Sequence, residues 1–258
     1  MYQVEHIDEI FSKCSSRLWE VELSIIDACN RRCSTCPKSN KDIAPNTWLE
    51  MPFELYTKLA KELNSRGFDG LLMLCGYGEP LLHHDIVNIV KQFSFTYVDI
   101  VTNGDLLTED LTYKLVRAGV YRILISQYGN KDFSNLQKLY PQHIIVRDRR
   151  EVIEGECNRG GTLSTEVNKS VCYYPFYMLQ VDWNGDVYRC CHDWNRRDKL
   201  GNVSFSEIHD IWNSVKLDRV RSMLIDKGRT EEPCKNCNVD GKLRGEKNFE
   251  SYLQRRLR

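Results

Sequence analysis

Within eight residues the chain carries three thiols, Cys29-Asn-Arg-Arg-Cys33-Ser-Thr-Cys36. Three soft thiolates at this spacing can hold three corners of a four-iron cluster and leave its fourth iron without a protein ligand, which makes that iron reactive. A structural zinc ion instead wants four ligands, usually as two separated CxxC pairs, and fits this triplet less well. A second set, Cys172, Cys190, Cys234 and Cys237, ends in such a pair. Four ligands close a site, and on residue types alone zinc and a fully ligated iron–sulfur cluster both remain open. Cys14, Cys157 and Cys191 read as buried thiols without chemistry, with Cys191 pointing away from Cys190 if the strand continues. Cys75 stands apart because it ends an expected strand beside Gly78-Glu79.

The triplet must be held by the elements around it. Leu18 to Ile26 alternates with a period of two and runs into Cys29 as a strand. Helix over Pro52 to Ser65, strand over Leu71 to Leu74 and helix over His84 to Phe93 follow. Next come strand over Tyr97 to Val101, helix over Thr108 to Ala118 with Thr108 as N-cap, strand over Tyr121 to Ile125, and a weaker helix–strand unit over Asp132 to Val146. Repeated βα units require parallel strands with crossover helices, so the expected class is α/β. Chemistry then belongs at the C-terminal ends of the strands. Cys29, Tyr77-Gly78-Glu79-Pro80, Thr102-Asn103-Gly104 and Ser126-Gln127 all fall there.

After a polar, irregular stretch from 147 to 170 the pattern changes. Met178 to Trp183 and Val187 to Cys190 flank Asn184-Gly185, a hairpin signal. Ser204 and Glu207 suit a capping box for a helix through Ile211-Trp212, and a further helix covers Lys216 to Asp226 before Cys234-Lys-Asn-Cys237. Arg255 to Arg258 reads as a solvated helix face.

With 258 residues, 41% of them hydrophobic, the chain can bury a substantial core. Lysine plus arginine equal aspartate plus glutamate at 36 each, so no global field marks a nucleic-acid or membrane-surface binder. No export signal or long apolar run is apparent, and eleven cysteines, seven of them in clusters with metal-ligand spacing, suit a reducing compartment, so a cytoplasmic location is expected.

Cysteine triplet, Gly78-Glu79-Pro80 and Thr102-Asn103 in this order make the chain resemble the radical S-adenosylmethionine (radical SAM) superfamily. The resemblance implies a partial (β/α)6 barrel. It further implies a [4Fe-4S] cluster on Cys29, Cys33 and Cys36 that chelates S-adenosylmethionine, with cofactor contacts from Tyr77, Gly78, Glu79, Thr102, Asn103, Ser126 and Gln127. Thr35 departs from the aromatic residue usual before the third cysteine. Leu200-Gly201-Asn202-Val203, the Ile211-Trp212 helix and Cys234-Lys-Asn-Cys237 resemble the short SPASM-type, or twitch, extension. That likeness implies an auxiliary [4Fe-4S] cluster on Cys172, Cys190, Cys234 and Cys237. The expected division is a core over 1–165, with an N-terminal extension over 1–17, and an auxiliary domain with a C-terminal helix over 166–258.

Within the superfamily the whole chain resembles an aminocyclitol-oxidising dehydrogenase, on Tyr77 to Leu82, Thr102 to Asp105 with Leu107 to Glu109, Asn158-Arg159-Gly160-Gly161 and the auxiliary cysteines. It implies oxidation of a secondary alcohol of a cyclitol, sugar or nucleotide-sugar to a ketone, the second electron passing to the auxiliary cluster. Arg159 would sit near the substrate hydroxyl, and Cys75 is a second candidate catalytic residue. A small polar substrate and an external one-electron reductant such as flavodoxin or ferredoxin are the expected partners. No dinucleotide-binding glycine fingerprint is visible, in keeping with that chemistry. A radical SAM peptide-modifying enzyme is the alternative, disfavoured by the short segment before the first strand, and a non-catalytic zinc protein is a further one.

Overall fold

A computed structural model describes residues 17–150 and 157–257; Cys14, most of the expected N-terminal extension and Arg258 lie outside them. Strand β1, Glu20–Leu23, is buried along its whole length. Its alternation therefore separates two buried faces. Val21 and Leu23 pack with Leu55, Leu59 and Leu63 of helix α1, Phe53–Ser65, in the main core, whereas Glu20 and Glu22 face the opposite side. Pro52 opens α1, its φ of −70° sitting just outside the first turn.

Strand β2, Leu71–Leu74, helix α2, Ile86–Gln92, and strand β3, Tyr97–Thr102, continue the alternation. Helix α3, Glu109–Ala118, starts as expected: the Thr108 hydroxyl accepts from the Leu111 N–H at 3.1 Å, and Gly119 in the left-handed region ends it. Strand β4, Arg122–Gln127, helix α4, Ser134–Leu139, and strand β5, Ile144–Asp148, complete the series.

Beyond β5 the chain returns to the other side of β1. Strand β6, Met178–Val181, runs parallel to β1 with Glu22 opposite Gln180, and leads into the antiparallel strands β7, Asp186–Tyr188, and β8, Lys199–Asn202. One sheet results, in the order β5-β4-β3-β2-β1-β6-β7-β8, and its first six strands are parallel. The α/β class and the six-stranded parallel arrangement agree with expectation. The pairing of β6 with β1 had no local signal, because a hairpin pattern specifies its own antiparallel partner and not a distant parallel one.

Helix α5, Ile208–Trp212, helix α6, Val215–Asp226, and helix α7, Glu246–Arg256, cover the second half. The Ser204–Glu207 capping box does not form. Glu207 itself occupies the cap with no side-chain bond. Ser204 instead enters a turn organised by Asn202, whose Oδ1 accepts from Ser204 N at 2.7 Å. Ser214, which the sequence reading passed over, caps α6 through its hydroxyl. No helix among the described residues is long and apolar enough to cross a membrane.

Candidate active site

The loop after β1 presents Cys29, Cys33 and Cys36, all partly exposed. Its shape depends on a buried ammonium. Lys38 Nζ donates to Asp27 Oδ1 at 2.7 Å, to the Pro45 carbonyl at 2.7 Å and to the Asp27 carbonyl at 3.3 Å, which uses all three of its hydrogens. Asn46 brackets Cys29 through both backbone groups, at 3.2 and 2.8 Å. Burial raises the Cys29, Cys33 and Cys36 thiols, Cys33 to about 11, and the neighbouring thiols add to the rise at Cys29 and Cys33. Three thiols that resist ionising together are the donor set that a cationic iron–sulfur cluster would satisfy.

Gly78 touches the same loop. A Cβ there would lie 2.1 Å from the Ile26 carbonyl oxygen and 2.7 Å from that of Ala28, so only glycine permits this approach. The next residue, Glu79, donates its N–H to the Ala28 carbonyl at 2.8 Å. Its buried carboxylate accepts from Thr102 Oγ1 at 2.6 Å, Asn103 N at 2.8 Å and Leu81 N at 3.1 Å. Burial nevertheless holds the Glu79 carboxyl above its ordinary range. Glu79 thus joins the ends of β2 and β3. Asn103 Nδ2 reaches Asn30 Oδ1 at 2.8 Å and faces Cys29 Sγ, while Arg31 grips Asp105 with two bonds of 2.6 Å. The expected motifs at the ends of β1, β2 and β3 therefore form one bonded rim.

Ser126 and Gln127 end β4 as expected, but the Gln127 amide is spent on the Lys131 carbonyl at 2.8 Å. Tyr77, expected among the cofactor contacts, is buried at 1% exposure and its side chain is engaged within the protein. The hydroxyl donates to the Asp193 carbonyl at 3.0 Å, the ring lies edge-on to Trp194 at 4.7 Å, and Arg196 sits 4.4 Å above it. Tyr77 fastens the rim to the loop after β7.

That loop carries Cys190, one member of the second thiol set. Cys172, Cys190, Cys234 and Cys237 line one small cavity with Tyr174, His192 and Arg229. None of the four is in a disulfide. Burial pushes Cys172 up to about 12 and Cys190 well above its ordinary value. Gly241 keeps space beside them, since a Cβ there would lie 2.4 Å from Cys172 Sγ. Arg189 donates to Cys234 Sγ at 3.5 Å and so places positive charge against the cavity. Four convergent thiols without an open position fit a closed cluster site. Cys191 is not among the residues lining this cavity and lies against Glu22, although the strand ends at Tyr188 and the chain turns there instead of continuing extended.

Asn158-Arg159-Gly160-Gly161 bridges the two sets. Arg159, Gly160 and Gly161 all have positive φ, and Cβ atoms on the two glycines would strike the His192 carbonyl at 2.4 Å and Asn236 at 2.7 Å. Asn158 is fully buried, its amide donating to the carbonyls of Glu166 and Asn236 at 2.6 and 2.7 Å. This bracing sets the Arg159 guanidinium within electrostatic reach of Cys36, Cys157 and Cys191. Cys75 lies against Glu22 and is held well above the ordinary thiol range by burial and by that carboxylate, which makes it a poor thiolate. Lys38, Asp27, Asn46 and the Arg31–Asp105 pair escaped the sequence reading, because charged residues in a loop look like solvated ones.

A mostly parallel α/β sheet with an open three-thiol loop at its rim and a closed four-thiol cavity beside it defines an iron–sulfur enzyme. The radical SAM superfamily model matches residues 23–158, and an iron–sulfur cluster-binding domain of the SPASM type matches 172–238. The chain belongs to the radical SAM superfamily. The two domains together imply S-adenosylmethionine and two iron–sulfur clusters. The chain is 28% identical to an S-adenosyl-L-methionine-dependent 2-deoxy-scyllo-inosamine dehydrogenase of Niallia circulans, over 90% of this chain and 94% of that protein. The crystal structure of BtrN in complex with AdoMet and 2-DOIA superposes with a TM-score of 0.74 at 29% identity, covering 88% of this chain and 95% of the other. A GTP 3′,8-cyclase of Aquifex aeolicus is 31% identical over 56% of this chain, which spans 45% of that protein.

Proposed function

We propose that this chain is a radical SAM alcohol dehydrogenase that oxidises a secondary alcohol of a small polar substrate, a cyclitol or sugar, to a ketone. The observation that carries the reading is a chain alike over nearly its whole length to a cyclitol dehydrogenase, in which Arg159 lies within electrostatic reach of Cys36 of the open set while the next residue, Gly160, lines the closed cavity. Cys29, Cys33 and Cys36 hold the first cluster, and Cys172, Cys190, Cys234 and Cys237 the second. When bound, S-adenosylmethionine on the first cluster supplies a hydrogen-abstracting 5′-deoxyadenosyl radical, and the second cluster supplies a one-electron acceptor.

The chain's own residues do the rest. The Lys38–Asp27 and Arg31–Asp105 pairs keep the thiol loop in register with the rim. Glu79 orients Thr102 and Asn103, and Gly78 lets the rim close over the loop. Ser126 and Gln127, at the C-terminal end of β4, would contact the cofactor. Arg159, which hardly ever gives up its proton, stabilises developing negative charge on the substrate oxygen. The functional division runs near 165, with residues 1–165 making the radical and 166–258 accepting the electron, although β6 of the second part is built into the sheet of the first. A low-potential carrier such as flavodoxin or ferredoxin delivers the initiating electron.

Iron and acid-labile sulfide per chain after anaerobic reconstitution test the two sites together. About eight irons support the assignment. About four, with zinc in the second site, remove the internal acceptor and with it the oxidation.

A further inference from the structure

The face of β1 that looks away from the helices holds a carboxylate with no role so far. Glu22 is 8% exposed, and its Oε2 has no nitrogen or oxygen donor among the described residues, the thiols of Cys75 and Cys191 being the donors beside the carboxylate. Glu20, one pleat away, is by contrast paired with Arg244 at 3.3 Å. The thiols of Cys75, after β2, and Cys191, beside the auxiliary cavity, lie against the Glu22 carboxylate, and Arg159 is within electrostatic reach. Two more buried polar atoms there lack partners: Gln180 Oε1, on the strand residue opposite Glu22, and Arg159 Nε. Three elements thus each bring an unsatisfied polar atom to one side of the sheet. Buried polar atoms are rarely left unpaired, so such a convergence marks where a hydroxylated molecule completes the bonding.

We infer that Glu22 is the proton acceptor for the substrate hydroxyl, with Arg159 beside it holding the charge on oxygen. The inference rests on the dehydrogenase reading and supplies the base that Arg159 cannot be. In the step, the substrate C–H hydrogen atom leaves to the 5′-deoxyadenosyl radical, giving 5′-deoxyadenosine. The O–H bond then breaks, its proton passing to Glu22 and its electron pair staying on oxygen. The unpaired electron leaves to an oxidised iron–sulfur cluster, the C=O bond is complete, and Glu22 returns its proton to solvent.

The groups facing Glu22 set its working range. Burial and the Glu20 carboxylate raise it to about 7, against the opposing pull of the Cys191 and Cys75 thiols and Arg159. Ionised Glu22 is the accepting form, so proton removal strengthens as pH rises through about 7.

The test uses the reconstituted holoenzyme, S-adenosylmethionine, a chemical reductant and 2-deoxy-scyllo-inosamine as probe, and measures ketone formed per 5′-deoxyadenosine across neutrality. The wild-type ratio is expected to rise through about pH 7. Glu22→Gln should lower it about 100-fold or more and remove the rise, with Glu22→Asp recovering part of it. Independently of turnover, infrared titration of the resting protein should show a carboxyl band that titrates near neutrality and is absent from Glu22→Gln. Frozen reaction mixtures of that variant should accumulate a substrate-centred radical by electron paramagnetic resonance. A wild-type ratio and pH profile in Glu22→Gln, or an unchanged infrared titration, would overturn the assignment and leave the dehydrogenase standing. Absence of ketone from the wild-type enzyme despite radical formation would retire the dehydrogenase reading, and the Glu22 assignment with it.

Discussion

Replacing Gly78 with alanine perturbs the site through distance alone, since its backbone is not left-handed. The added Cβ would lie 2.1 Å from the Ile26 carbonyl oxygen and 2.7 Å from that of Ala28. A carbon meets a carbonyl oxygen at about 3.3 Å without strain, so the two oxygens must retreat by about 1.2 and 0.6 Å. Both belong to backbone, which cannot swing aside as a side-chain tip can. The retreat would stretch the 2.8 Å bond from Glu79 N to the Ala28 carbonyl beyond hydrogen-bond range and drag Cys29, the next residue. Overpacking of this kind costs about 1–3 kcal/mol of stability. A misplacement of about 1 Å in a catalytic constellation costs about 100-fold in rate. Gly78→Ala should therefore unfold at lower denaturant and form 5′-deoxyadenosine about 100-fold more slowly at equal iron content, measured by chromatography of single-turnover mixtures. Cleavage within about two-fold of wild type at unchanged stability would refute the argument that this contact registers the thiol loop.

Lys38→Met removes a buried charged donor from Asp27, which keeps the Thr47 hydroxyl and Arg196 at 3.5 Å, and should cost about 1.5–3 kcal/mol in denaturant unfolding. The Arg31 guanidinium holds Asp105 below the usual carboxylate range. Its stabilisation is complete above the unfolded value of about 4 and disappears as pH falls through the lower folded value, so Asp105→Asn should remove that segment of the acid-unfolding profile. Cys234→Ser or Cys237→Ser should halve the iron content and block ketone formation while 5′-deoxyadenosine still forms; full ketone yield would exclude the electron-acceptor role. Tyr77→Phe removes one buried hydrogen bond to the Asp193 carbonyl and should cost about 1 kcal/mol with no change in S-adenosylmethionine affinity by calorimetry.

The division of labour between the two thiol sets explains why a chain of this size carries both. Alcohol oxidation removes two electrons, and a radical enzyme accounts for only the hydrogen atom. Arg159, braced by Asn158 and the left-handed glycines, is within electrostatic reach of Cys36 of the open constellation, of Cys191 beside the closed one and of the Glu22 carboxylate. The backbone run that creates this position is legible in Asn158-Arg159-Gly160-Gly161 only once its neighbours are known.

What the sequence determined by itself was local. The period of two in Val21, Leu23 and Ile25, the βα alternation, the Thr108 cap and the spacing of seven cysteines follow from interactions between residues close in the chain, so they could be read without coordinates. Tertiary structure decided what depends on residues far apart. Residue type could not reveal that Glu22 faces Cys75 and Cys191 while Glu20 pairs with Arg244, that Tyr77 is sealed under Trp194, or that β6 adds to the free side of β1. A buried carboxylate and a solvated one are the same letter, and only the partners brought by folding distinguish a pair that holds the sheet from a group left free to react.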